Sequence, residues 1–311
     1  MVILNAVQSM LSIITLILVG YFLTKKGWFD HNTSKIFSRL VVTVSLPALM
    51  IYNFTTSFTK GMFLNSTTAL IIPFLSIGIC FMISILLSYF FVEKNKRGIF
   101  QTMFTAANTV FIGIPVNIAL FGEDSIPYAL LYYVANTLFF WTIGVMKISG
   151  DGGKVKENIF SIATAKSLLS PPIIGFVIGI VLVILEIRLP IFLIDTSRYL
   201  GNLTTPLSLL FIGMTFHSVD FSKIVLSTDG ILLFLGRFLI SPLIVYGLSI
   251  YFPIPSLMLK VFIIQAAMPI LAQAAIVAKA YEGDYEYATV MITLTTIASA
   301  FIIPIYMVLL Q

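Results

Sequence analysis

Charge is scarce in this chain. Asp, Glu, Lys and Arg make up 10% of its 311 residues, where a soluble domain carries about 25%. Histidine occurs twice, as His31 and His217, and cysteine once, as Cys80 inside a long apolar run, so no intramolecular disulfide can form. All thirteen carboxylates fall in connections or within about a turn of a predicted helix end. The apolar stretches thus hold no His/Cys/Asp/Glu cluster at metal-ligand spacing, no acid pair at i and i+4, and no serine nucleophile elbow. Intramembrane metalloprotease and aspartyl protease chemistry is excluded, serine chemistry lacks a placed base, and no cofactor motif is present. An enzyme is the last reading this inventory supports.

What the chain does have is length in apolar runs. Apolar residues reach 59% and the mean hydropathy is +1.05. Ten runs of the ~20 residues that a spanning helix needs recur near 3–24, 36–54, 66–92, 98–121, 126–147, 167–187, 190–216, 228–252, 256–281 and 287–310. This predicts an all-α polytopic membrane protein. The first run has neither a basic n-region nor a small-residue cleavage site, so it reads as a span and not as a cleavable signal. With the N-terminus outside, thirteen of the eighteen Lys and Arg lie in inner connections and four in outer ones, with Arg237 inside a span. The positive-inside rule then puts both termini on the extracytoplasmic side of a plasma membrane. Topology accounts for the net charge of +5, and nucleic acid is not an expected partner.

The spans fall into two sets of five. Arg39 and Pro47 recur as Arg198 and Pro206, and Gly20 as Gly179, 159 positions later; Ala106-Ala107 recur as Ala266-Ala267 and Asp124 as Asp284, 160 positions later. Five being odd, the second set enters the membrane inverted. The predicted organisation is a repeat over 1–147, a cytoplasmic linker over 148–166 containing Gly150-Asp151-Gly152-Gly153, and an inverted repeat over 167–311. Both fourth and ninth spans carry helix breakers beside polar residues: Asn108-Thr109 with Gly113 and Pro115 in one, Pro269 between Gln265 and Gln273 in the other. A broken helix survives in lipid only against protein or a wet cavity, so two breaks in corresponding places point to a transport site at a crossing of helices 4 and 9.

The polar groups at that depth are neutral: Asn108, Thr109, Asn117, Asn136, Thr137, Gln265 and Gln273, with Thr293, Thr295, Thr296 and Ser299 in the last span. Ser and Thr in bundles mostly bond between helices. Asn108 stands apart, because its amide lies at the break beside N–H groups that start a half-helix and suit a carboxylate. The candidate substrate-binding residues are Asn108, Thr109, Gly113, Pro115, Asn136, Pro269 and Gln273. Arg237 is the single charge at depth; either it biases the pathway, or it snorkels or braces the carbonyls of a broken neighbour.

The pieces Asn108-Thr109 to Gly113-Ile114-Pro115, Phe121-Gly122, Arg39 with Leu46-Pro47, Arg237-Phe238-Leu239 with Pro242, and Met268-Pro269 before Ala278-Lys279-Ala280-Tyr281 resemble the auxin efflux carrier family. That family includes bacterial malate and malonate permeases and plant auxin exporters. The resemblance implies ten helices in inverted five-helix repeats, a scaffold from helices 1, 2, 6 and 7 with a mobile remainder, a carboxylate contact at Asn108, and often a homodimer. Unlike plant members, residues 66–92 hold no acidic or basic side chain. The expected function is secondary active transport or uniport of a small organic anion, a mono- or dicarboxylate such as malate or malonate, by alternating access. Drive would come from membrane potential, proton or sodium. Two alternatives stay open: a sodium-coupled symporter of the bile acid symporter type, and a membrane channel or receptor.

Overall fold

A computed structural model describes residues 2–57, 61, 70–151, 171–217 and 227–310. Helices account for nearly all of these, and no strand occurs among the described residues apart from one isolated bridge. Four helical stretches are long and apolar enough to cross a membrane: Ile71–Phe91, Glu123–Asp151, Thr228–Tyr251 and Tyr285–Leu309. Their outward positions are themselves apolar, as at Met82, Leu86, Ile250, Phe301 and Ile305. Apolar side chains exposed along whole helices suit lipid and not water. This is a multi-pass helical membrane protein.

Several prolines sit inside apolar helices without breaking them, Pro304 within Tyr285–Leu309 among them, and three share a device. Each of these three follows a five-residue π-helical segment by two positions: Val41–Ser45 before Pro47, Thr109–Gly113 before Pro115, and Gly236–Ile240 before Pro242. Proline lacks an N–H and its ring collides with the carbonyl four residues back; widening the preceding turn relieves the collision. The shifted bonds are visible, since Leu46 N–H donates to the Val41 carbonyl and Ser241 N–H to that of Gly236. The carbonyl four residues before Pro242, that of Phe238, accepts instead from the Tyr306 hydroxyl. This corrects the expectation that Pro115 interrupts its span. The chain is helical from Thr109 to Phe121, and the interruption lies earlier, at Ala106–Asn108.

The chain forms two compact units. One comprises Met1–Thr68, Val110–Leu130 and Leu169–Val219. In it, helix Val2–Lys25 packs on Thr204–His217, and helix Leu46–Ser57 on Pro171–Ile184. The first pair meets through Gly20 and Gly213: a Cβ on either would overlap backbone of the facing helix, at Leu210 and Ile17. Small residues let helices touch where apolar burial alone gives no drive, as in lipid. In the second pair the rings of Phe54 and Phe176 meet edge to face, 5.2 Å apart.

The other unit comprises Ala69–Thr109, Leu131–Leu168 and Asp220–Gln311. Most of the buried polar side chains of the fourth, fifth, ninth and tenth predicted spans belong to it. Of the predicted linker, residues 152–166 lie outside the described residues, as do 66–69 and 167–170 of two predicted spans. Residues 148–151 are not linker but the end of helix Val145–Asp151. The reason is a helix cap: the Asp151 carboxylate accepts from Gly98 N–H at 2.9 Å and Ile99 N–H at 2.7 Å, filling orphan donors at the start of helix Arg97–Thr105.

Gly213→Leu forces side-chain atoms into the backbone of helix Val2–Lys25. A loss of about 2–3 kcal/mol is expected, read as a lower unfolding temperature in detergent, whereas Gly78→Leu, with nothing within 4 Å, is near neutral.

Candidate functional site

Two helices of this second unit stop within apolar sequence. Helix Arg97–Thr105 gives way to extended backbone at Ala106, and helix Ser256–Ala266 ends at Ala267, resuming only at Gln273. Buried backbone groups at such ends must find partners in the protein. Here they find each other. Asn108 N–H donates to the Pro269 carbonyl at 2.8 Å and Leu271 N–H to that of Ala106 at 3.3 Å, on either side of an antiparallel bridge between Ala107 and Ile270.

Side chains supply what the bridge leaves over. Asn136 takes both polar groups of Ala107: its Oδ1 accepts from the N–H at 2.8 Å and its Nδ2 donates to the carbonyl at 2.9 Å. Ile270 N–H donates to Thr295 Oγ1 at 3.3 Å, and that hydroxyl donates onward to the Met291 carbonyl at 2.8 Å. Gln265 Nε2 donates to the Thr109 carbonyl at 3.4 Å.

Arg237 closes the arrangement. It is fully buried, 0% exposed, and its guanidinium donates to four carbonyls. Nε and Nη2 reach Met268 O at 3.0 Å each, Nη2 reaches Ala266 O at 2.8 Å, and Nη1 reaches Thr105 O at 2.9 Å and Phe104 O at 3.2 Å. Phe104, Thr105 and Ala266 supply the last carbonyls of both interrupted helices, and Met268 lies in the unwound segment just past the second. A helix C-terminus carries roughly half a negative elementary charge, so two converging ends present about one, which a single guanidinium balances. Access to this position depends on Gly236, where a Cβ would overlap the Phe104 ring. Of the roles open to Arg237 from sequence, the structure shows the brace and not the snorkel.

The candidate residues separate into distinct positions. Asn108 is 5% exposed, with its backbone N–H already used. Thr109 N–H donates to the Ala107 carbonyl at 2.9 Å. Three successive N–H groups, of Ala107, Asn108 and Thr109, are therefore engaged by protein. This corrects the expectation of unengaged donors right at Asn108. Asn136, expected to line a substrate path, instead has both amide atoms committed to Ala107. Pro269 lies in the second break and gives its carbonyl to the first. By contrast Thr109 Oγ1 and Gln273 Oε1, each at the start of a resumed helix, are buried and have no hydrogen-bond partner among the described residues. Gly113 and Pro115 fall in the other compact unit, where Gly113 O accepts from Asn117 Nδ2 at 2.7 Å. Thr295 is the site residue that sequence reasoning does not single out: it is one of several neutral polar groups in its span, and only the position of Ile270 distinguishes it.

Ionisable groups collect elsewhere in this unit, around a cavity of about 420 Å³ lined in part by Glu93, Lys96, Asp229 and Tyr287. Lys96 pairs there with Asp284 at 3.2 Å and lies over the Tyr287 ring. No residue of either helix break lines it.

Asn136→Leu strands the N–H of Ala107 in a dry interior and takes one of two donors from its carbonyl, which keeps Thr109 N–H. With one group stranded, the expected loss is about 1–3 kcal/mol, seen as early unfolding in detergent.

Comparison with known proteins agrees with this architecture. The family model described as membrane transport protein matches residues 5–307. An uncharacterized transporter of Methanothermobacter thermautotrophicus is 26% identical over 322 residues, covering 100% of both chains. An uncharacterized transporter of Methanocaldococcus jannaschii is 24% identical, covering 95% of this chain and 96% of its own. The uncharacterized transporter YfdV of Escherichia coli K12 is 22% identical over 226 residues, 70% of this chain and 71% of its own. With its apolar helices, its paired helix breaks and a family match over nearly its whole length, the chain belongs to the auxin efflux carrier family of membrane transport proteins.

Proposed function

We propose that this transporter carries a small organic anion, a mono- or dicarboxylate such as malate or malonate, by alternating access at the crossover of its two interrupted helices. The observation that carries the reading is the pairing of Ala107 with Ile270, flanked by the buried, unpartnered Thr109 hydroxyl and Gln273 carboxamide oxygen. Unpartnered polar atoms in a dry interior cost free energy unless something polar visits them. The Thr109 hydroxyl can donate to a carboxylate, Asn108 lies at the same break, and Gln273 Oε1, an acceptor, can take a substrate hydroxyl such as malate carries. Arg237 offsets the negative helix ends that would otherwise repel an anion there. Asn136 and Arg237 act by holding the breaks in place, while Asn108, Thr109 and Gln273, with the Pro269 segment, meet the anion.

The same reading takes the chain as ten spans in two inverted repeats, 1–147 and 167–311, with the connection between them beginning after helix Val145–Asp151. Packing supports it: under the offset of 159 residues, the pair Val2–Lys25 with Thr204–His217 exchanges with the pair Pro171–Ile184 with Leu46–Ser57. Residues 110–130 join the unit that holds the first, second, sixth and seventh spans, a grouping close to the scaffold implied by resemblance. Insertion in the plasma membrane with both termini outward, and a homodimer, complete the proposal. With no acid at the breaks, membrane potential is the natural drive.

Proteoliposomes are expected to take up labelled malate or malonate saturably, faster with the inside positive. Thr109→Val, close in shape, is expected to lower uptake at least tenfold with little change in unfolding temperature, and Asn108→Ala to do likewise. Wild-type rates in both folded variants would refute these assignments.

A further inference from the structure

We propose that Arg237 is a built-in substitute for a coupling cation: its guanidinium fills the carbonyl cluster where the two interrupted helices end, and thereby keeps that cluster from binding a free sodium ion. The proposal builds on the anion-transport reading but concerns a different atom set.

Unwound carbonyls and half-helix C-termini are the groups with which broken-helix transporters coordinate sodium or protons. Here four such oxygens converge, from Phe104, Thr105, Ala266 and Met268. Their combined dipole charge, about one negative unit, calls for one cation. The guanidinium meets that demand with five hydrogen bonds, and among the described residues no carboxylate pairs with it. Guanidinium does not release its proton in proteins, so the centre cannot load and unload hydrogen ions either. Tethered by its side chain, this cation neither leaves nor exchanges. Truncating it removes the charge and opens the oxygens together, which leaves an empty site of suitable ligand type for a small cation.

The test uses the full-length protein in detergent and needs no substrate. Unfolding temperatures of wild type, Arg237→Ala and Arg237→Gln are measured in sodium, choline and methylguanidinium chlorides at matched ionic strength. Wild type is expected to unfold at one temperature in all three salts. Arg237→Ala is expected to unfold earlier in choline, and to gain roughly 2–5 °C, saturably, in sodium or methylguanidinium. Arg237→Gln, which keeps amide donors and loses the charge, should show the same preference more weakly. Sodium-specific stabilisation of wild type would overturn the proposal, as would equal behaviour of Arg237→Ala in the three salts. Failure of both variants to fold in every salt would overturn it too, since added cation is predicted to restore them. A brace acting only through shape would not produce cation-selective rescue. Absence of malate or malonate uptake, in contrast, would count against the function proposed above and leave these salt responses unchanged.

Discussion

Backbone hydrogen bonding in a water-free interior is the constraint on which this structure depends. Two helices stop inside apolar sequence, and lipid offers nothing to the N–H and carbonyl groups so released. Pairing Ala107 with Ile270 lets each break serve the other. The remaining groups are matched by Asn136, Thr295 and Arg237, drawn from three further helices. Those helices thereby become fixed around the breaks, and the polar residues of the second unit form a connected set.

The electrostatic consequence is asymmetric. Both interrupted helices direct their negative C-termini inward, where Arg237 answers them. The helices that resume at Thr109 and Gln273 begin there with the positive ends of their dipoles. No side chain of the breaks is itself basic or acidic. The ionisable side chains of Glu93, Lys96 and Asp229 line a separate cavity.

Proline shows how a local rule is satisfied in more than one way. At Pro47, Pro115 and Pro242 a widened π turn absorbs the ring, and for Pro242 the Tyr306 hydroxyl takes the freed carbonyl. At Pro269 the helix ends instead, and the proline carbonyl becomes an acceptor for Asn108. The same residue type marks a continuous helix in one place and a break in another, because a break persists only where another backbone segment can pair with it.

Composition and periodicity alone determine the class of this protein, since only lipid tolerates so much apolar surface, and the breakers with their polar neighbours in 101–122 and 256–281 mark the two stretches that matter. Asn108, Thr109, Gln273 and Arg237 stand out in the sequence because polar groups are costly at depth. Which residue does what was decided by tertiary structure. That the first break falls at Ala106–Asn108 and not at Pro115, that Asn136 serves Ala107, and that Arg237 spans two helix ends all depend on atoms more than twenty residues away in the chain. Hydrogen bonds between such distant groups leave no periodic trace in sequence, whereas apolar burial in lipid does.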